Sequence, residues 1–148
     1  MIYIGADHAG YKQKEKLKKY FDKKSISYAD LGAEELIKDD DYPDYAEKVA
    51  LNVSKSKDAK GILICGGANG MAISANKIKG IRAAVAWDKY TAKMSVKDDH
   101  ANILAIAARN LNSWRIMKIV KAFISTDRAK SKRHIRRVKK ISQLEKNN

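Results

Sequence analysis

A chain of 148 residues has the length of one domain, and its 45% hydrophobic and 32% charged residues exclude a disordered polymer. No apolar run approaches the roughly 18 residues that a membrane span needs. The 31 Lys and Arg against 17 Asp and Glu give a net charge of +14, which suits a phosphorylated metabolite, an acidic surface or nucleic acid and argues against a flavodoxin-like electron carrier.

In chain order, Ile2 to Ala6 predicts a buried strand. Tyr11 to Lys24, with Leu17, Tyr20 and Phe21 at helical spacing among lysines, predicts an amphipathic helix. Ile26 to Leu31 predicts a second strand. An acidic loop (Glu34, Glu35, Asp39, Asp40, Asp41) then leads to Tyr42-Pro43, and the one proline sits where a helix over Asp44 to Lys55 should begin. Gly61 to Cys65 predicts a continuous apolar strand, cut off by Gly66-Gly67. A helix over Met71 to Ile78, a strand over Ile81 to Trp87, a helix near Lys89 to Val96 and a strand over Asn102 to Ala108 follow. Ser113 to Ile124 and Lys132 to Leu144 supply the last helices, and Arg128 to Lys140 contains no acid.

This alternation, with strands apolar on both faces, predicts an α/β fold. We expect a single doubly wound domain over residues 1–148, with a five-stranded parallel sheet flanked by helices and a C-terminal basic helix. That last helix is expected to pack on the domain or reach a partner subunit. A start without a basic leader and a lone cysteine lead to an expected cytoplasmic location.

Ligands of such folds bind beyond the carboxyl ends of the strands. There the first strand ends in Asp7-His8-Ala9-Gly10 and the third in Cys65-Gly66-Gly67-Ala68-Asn69-Gly70. Three glycines between a strand and a helix leave backbone N–H groups free for an anion, although glycine also serves such turns through positive φ alone. The loop matches neither the Walker A nor the dinucleotide pattern. A lone cysteine is ordinarily an inert buried residue. Beside a helix start Cys65 is instead expected to have a lowered pKa, and its thiolate can take a proton from a carbon next to a carbonyl. The neighbouring N–H groups would hold the enediolate oxygen. Asp7 and His8 are either a helix cap with a satisfied histidine, or the groups that hold sugar hydroxyls and open the ring. Arg133 and Arg137, four apart, share a helix face and suit a phosphate. The segment Asp98-Asp99-His100-Ala101-Asn102 precedes the fifth strand, so it reaches the site only by folding back over the sheet edge.

Together these residues resemble the ribose-5-phosphate isomerase B family, which includes the galactose-6-phosphate isomerase subunits. The resemblance covers almost the whole chain. It rests on Gly5-Ala6-Asp7-His8-Ala9-Gly10, Asp41-Tyr42-Pro43, Ile64-Cys65-Gly66, Ala75-Asn76-Lys77, Gly80-Ile81-Arg82-Ala83, Ala101-Asn102-Ile103-Leu104-Ala105 and Arg133-His134 with Arg137-Val138. It implies a homodimer, or a dimer of dimers, whose active sites are shared between subunits. It implies that Cys65 moves the proton between C1 and C2. Asp7, His8, Tyr42, Asp99 and the backbone of Gly66, Gly67, Ala68, Asn69 and Gly70 would bind the sugar, and Arg109, Arg133 and Arg137 the phosphate. Neither a cofactor nor a metal is implied.

Two segments depart from the family pattern. Where many members read Cys-Gly-Thr-Gly-x-Gly, Gly67 replaces the threonine. Where they usually read His-Asn-Asp-Ala-Asn, Asp98 replaces the histidine, leaving Asp98 or His100 as the expected ring-opening group. The leading expectation is isomerisation of ribose 5-phosphate and ribulose 5-phosphate through a cis-enediolate. The alternatives are a six-carbon sugar phosphate, or a degenerate member that only binds phosphate or nucleic acid. Neither a membrane nor, given the retained Cys65, Asp7 and His8, nucleic acid is the expected partner.

Overall fold

Five short runs of small and branched apolar residues form one sheet, and every strand in it is parallel to its neighbours. In the computed structural model, which describes residues 1–146, these are β1 (Ile2–Ala6), β2 (Tyr28–Asp30), β3 (Lys60–Cys65), β4 (Ala83–Val85) and β5 (Ile103–Ala107). Their order across the sheet is β2-β1-β3-β5-β4. The helices are α1 (Tyr11–Lys23), α2 (Tyr42–Ser54), α3 (Asn69–Ala75), α4 (Lys89–Asp99), α5 (Ser113–Ser125) and α6 (Lys132–Leu144). The expected doubly wound α/β architecture is therefore observed; residues 147 and 148 of the expected span lie outside the described ones. The edge strands β2 and β4 hold only three residues each, shorter than their apolar runs, because each has one neighbour to pair with.

Side chains along a strand alternate between faces, so each central strand feeds two cores. Ile62 and Ile64 of β3, with Ile4, Leu104 and Ile106, meet α1, α4 and α5 on one face. Leu63 and Cys65, with Ile103 and Ala105, meet α2 and α3 on the other. Phe21 and Phe123 are fully buried in the first core, and truncating either to alanine costs about 3–5 kcal/mol. Right-handed crossovers demand this layering. The chain steps one way from β1 to β2, then the opposite way to β3 and β4, and back to β5, so its helices change faces at each reversal.

The first reversal positions the site. β1 and β3 are neighbours, yet their following helices leave on opposite faces, which opens a crevice at their carboxyl ends. The segment 98–102 does not fold back toward it. Ile103 pairs with Gly61 and Ala107 with Cys65, so that segment lies at the amino end of the sheet, about 13 Å away along the strands. The last helix, α6, packs on α4 at that same end, where His134 Nε2 lies 3.8 Å from Asp98 Oδ1. It leaves Ile135, Ile141 and Leu144 exposed. No helix among the described residues is long and apolar enough to cross a membrane.

Candidate active site

Asp7 follows β1 and is buried, and its Oδ1 accepts the Gly10 N–H at 2.9 Å, which closes the turn into α1. Burial pushes its carboxyl above the ordinary aspartate value, outweighing the hydrogen bond from Gly10. His8 follows with its side chain 36% exposed, held by an acid that the sequence did not single out. Asp40 Oδ1 lies 2.6 Å from His8 Nδ1 and also accepts the His8 backbone N–H at 3.0 Å. This pairing raises the His8 pKa. Burial pushes the Asp40 carboxyl up, but the two bonds with His8, together with the Tyr45 hydroxyl and the His8 charge, outweigh it and hold the group below the usual aspartate value.

The loop that carries Asp40 is itself anchored. Lys14 on α1 is fully buried and donates from Nζ to Asp30 Oδ2 and to the Ala33 carbonyl, each at 2.6 Å. Nothing in the sequence separates Asp40 from its neighbours Asp39 and Asp41. Its role comes from a contact across 32 residues, which no local pattern can show.

Cys65 ends β3, 5% exposed, and its Sγ accepts the Ala68 N–H at 3.1 Å. The expected lowering of its pKa is not what this setting produces. Burial pushes the thiol up and the nearby Asp7 charge adds to this, while the N–H groups of Ala68, Gly67 and Met71 recover only part. The resting group is a neutral thiol close to its hydrogen-bond donors.

Two glycines of the loop, Gly66 and Gly70, serve space rather than backbone conformation. A Cβ on Gly66 would meet the Arg109 guanidinium at 2.9–3.0 Å, and one on Gly70 would meet the Tyr42 ring at 2.6–2.9 Å. Gly66 thus admits Arg109, and Gly70 admits Tyr42. A Cβ on Gly67 would meet nothing within 4 Å, so the position lacking the family's threonine is open. The residue with positive φ is Ala68, at φ 66° and ψ −36°. The Asn69 N–H donates to the Gly67 carbonyl at 2.8 Å across it, a three-residue γ-turn that is strained for an L-residue.

The structure therefore gathers Asp7, His8, Tyr42, Cys65, Gly66, Gly67, Ala68, Asn69, Gly70 and Arg109 around one cleft of about 350 Å³. It does not bring Asp98, Asp99, His100, Arg133 or Arg137 to that cleft. His100 turns its Nε2 to the Ala129 carbonyl at 3.0 Å, at the far end of the sheet, and Arg133 and Arg137 are exposed on α6. Three or more metal-binding side chains do not cluster anywhere among the described residues.

The family model for "Ribose/Galactose Isomerase" matches residues 2–141. The chain belongs to this family. It is 36% identical to the ribose-5-phosphate isomerase B of Mycoplasma genitalium, solved with bound ribulose-5-phosphate; the match covers 99% of this chain and 97% of that one, with a TM-score of 0.94. The Clostridium thermocellum ribose-5-phosphate isomerase B is 39% identical, over 99% of this chain and 97% of that one, with a TM-score of 0.92. The ribose-5-phosphate isomerase B of Mycobacterium tuberculosis (strain ATCC 25618 / H37Rv) is 33% identical over 97% of this chain and 89% of that protein. Membership fits the cleft, since an aldose–ketose isomerase needs a base beside an array of backbone donors.

Proposed function

We propose that the chain interconverts ribose 5-phosphate and ribulose 5-phosphate, with Cys65 as the base and a second copy of the chain completing each site. The observation that carries this reading is the Cys65 sulfur, held by the Ala68 N–H at the wall of the cleft that also holds Asp7, His8 and Arg109. It is joined by the similarity to an isomerase solved with ribulose-5-phosphate.

In this mechanism His8, its ring fixed by Asp40, exchanges a proton with the ring oxygen and the C1 hydroxyl to release the open aldehyde. The Cys65 thiolate takes the proton from C2. The electrons of that C–H bond form the C1–C2 double bond, and charge gathers on O1. Backbone N–H groups of the 66–70 loop stabilise that charge. The O2 hydroxyl proton passes to O1, Cys65 returns its proton to C1, and the ketose results. Because the thiol pKa is raised, the rate should climb with pH as the thiol ionises.

Arg109 is the one phosphate-binding candidate at the cleft. Asp98, His100, Arg133 and Arg137 sit together at the opposite end of the sheet, and a second copy docked there would bring them over the first copy's cleft. The apolar residues left exposed on α6 support such docking.

The space at Gly67 favours a second reading, a six-carbon aldose phosphate that uses the room a threonine would fill. One assay separates the two: purified protein is given ribose 5-phosphate and, in parallel, a six-carbon aldose 6-phosphate, and ketose appearance is followed directly. Faster turnover of the pentose upholds the first reading. Turnover of the hexose alone replaces it with the second, and turnover of neither sinks both.

A further inference from the structure

Both tryptophans of the chain lie on the surface, each 64% exposed, on the face opposite the Cys65 cleft's α2–α3 layer. Trp87 follows β4 and Trp114 opens α5. They flank a cleft of about 360 Å³ whose other walls include Lys89, Arg115 and Lys118. Lys118 Nζ stands 3.5 Å over the Trp114 ring centroid. Exposed indoles of this kind are unusual on a soluble surface and mark a binding face.

The cleft is one end of a longer track. Lys89, Lys93 and Lys97 stand four apart on α4, spanning about 12 Å. They line a second cleft of about 370 Å³, which shares Lys89 with the first and has α5 as its other wall. That cleft in turn shares Thr126 and Asp127 with a third, of about 500 Å³, edged by Lys60, Arg128 and Lys130; its His100 and Ile135 belong to the surface assigned above to the second copy, so the open track ends at that junction. Among the described residues none of Lys89, Lys93, Lys97, Arg115 and Lys118 has an acidic partner within 4.0 Å. Three acids border the track, and Asp58 among them lines only the third cleft, away from the lysine row. Asp88 spends its carboxylate on its own helix, accepting the Thr91 N–H at 2.7 Å, and Asp127 stands at the junction of the second and third clefts.

We infer that the α4–α5 groove is a binding track for single-stranded nucleic acid, with bases stacking on Trp87 and Trp114 and phosphates following the lysine row of α4. Flat apolar faces beside a line of unpaired cations are what such a strand recognises, and only unpaired bases offer their faces to a side chain. A sugar phosphate has the charge but no flat face to stack. A second copy of the chain fits the indoles but would set lysine against lysine along the row. Net charge made nucleic acid an alternative in the sequence but located no site for it, because these cations come from two helices and meet only in the fold.

The test is fluorescence anisotropy of a labelled oligothymidine of about eight nucleotides, with tryptophan quenching read on the same samples. Trp87→Ala and Trp114→Ala should each weaken binding by roughly tenfold or more, while Trp→Phe at either position keeps most of it. Replacing Lys93 and Lys97 with alanine should make the log–log salt slope shallower by about 1.4. Isomerase turnover, measured on every variant, should stay at the wild-type level and so report an intact fold. The proposal fails if the oligonucleotide does not bind, if binding ignores the tryptophans, or if inorganic polyphosphate competes as well as the oligonucleotide does. Tryptophan-dependent self-association in sedimentation would also overturn it, by assigning the face to a second copy.

Discussion

At the carboxyl end of the sheet, Asp7, His8, Cys65 and Arg109 converge on one cleft through contacts within the chain. At the amino end, Asp98, His100, Arg133 and Arg137 form an outward-facing group with no reacting cysteine beside it. The strand register keeps the two groups apart, since the segment before β5 cannot reach the end of β3 without crossing the length of the sheet. In the proposed reading the two groups are halves of one site, united when the chain meets a copy of itself, an arrangement that closed symmetric dimers provide.

The comparison breaks first at Cys65. Cys65→Ala should reduce turnover by on the order of 10²–10⁴-fold while leaving the melting temperature nearly unchanged, because the side chain is small and little volume is lost. Retained turnover would move the base elsewhere. In the wild type, kcat/KM should rise with pH toward the raised thiol pKa, and Asp7→Asn should shift that rise to lower pH by removing the charge that helps push the thiol up. A limb that stays in place would separate Asp7 from Cys65 electrostatically.

A smaller effect is expected at Asp40. Asp40→Asn removes the main cause of the raised His8 pKa, so the His8 ring should titrate lower by NMR. The catalytic loss should be roughly ten- to a hundredfold, that of a group left out of position. The sign for stability follows from the same shift. Pairing with Asp40 contributes fully below the ordinary histidine value of about 6.5 and is lost as pH rises through the raised one, so the stability gap between wild type and variant should narrow on the alkaline side. An unmoved His8 titration would detach Asp40 from the site. Smallest is Ala68→Gly, which releases γ-turn strain of about 1–3 kcal/mol, more than the chain entropy a glycine adds. The melting temperature should rise by about 2–4 °C, and a fall would show that the turn is not strained.

β1, β3 and the glycine loop were legible in the sequence because each strand is a short apolar run cut off by an acid or by glycine, a purely local signal. The boundaries of β1 and the start of α1 follow from it directly. That the 98–102 segment starts from the amino end follows from its place before β5, but that it does not fold back over the sheet edge did not follow, because this depends on its packing against α6 and on the register of β3 with β5. Asp40 was hidden among three consecutive aspartates. The direction of the Cys65 shift was misread because helix proximity is visible in sequence, whereas burial on a packed sheet face is not. The Trp87–Trp114 cleft joins the β4–α4 turn to the start of α5, segments that share no motif.

The proposal of a site shared between subunits is tested most directly by subunit complementation. Cys65→Ala and the double variant Arg133→Ala, Arg137→Ala are each made, then co-expressed with different tags and purified as the mixed dimer. One of its two sites then carries every substitution and the other carries none. The mixed dimer should regain about half of wild-type turnover, although each parent has little. A mixed dimer no more active than its parents would show that each chain builds its site from its own residues.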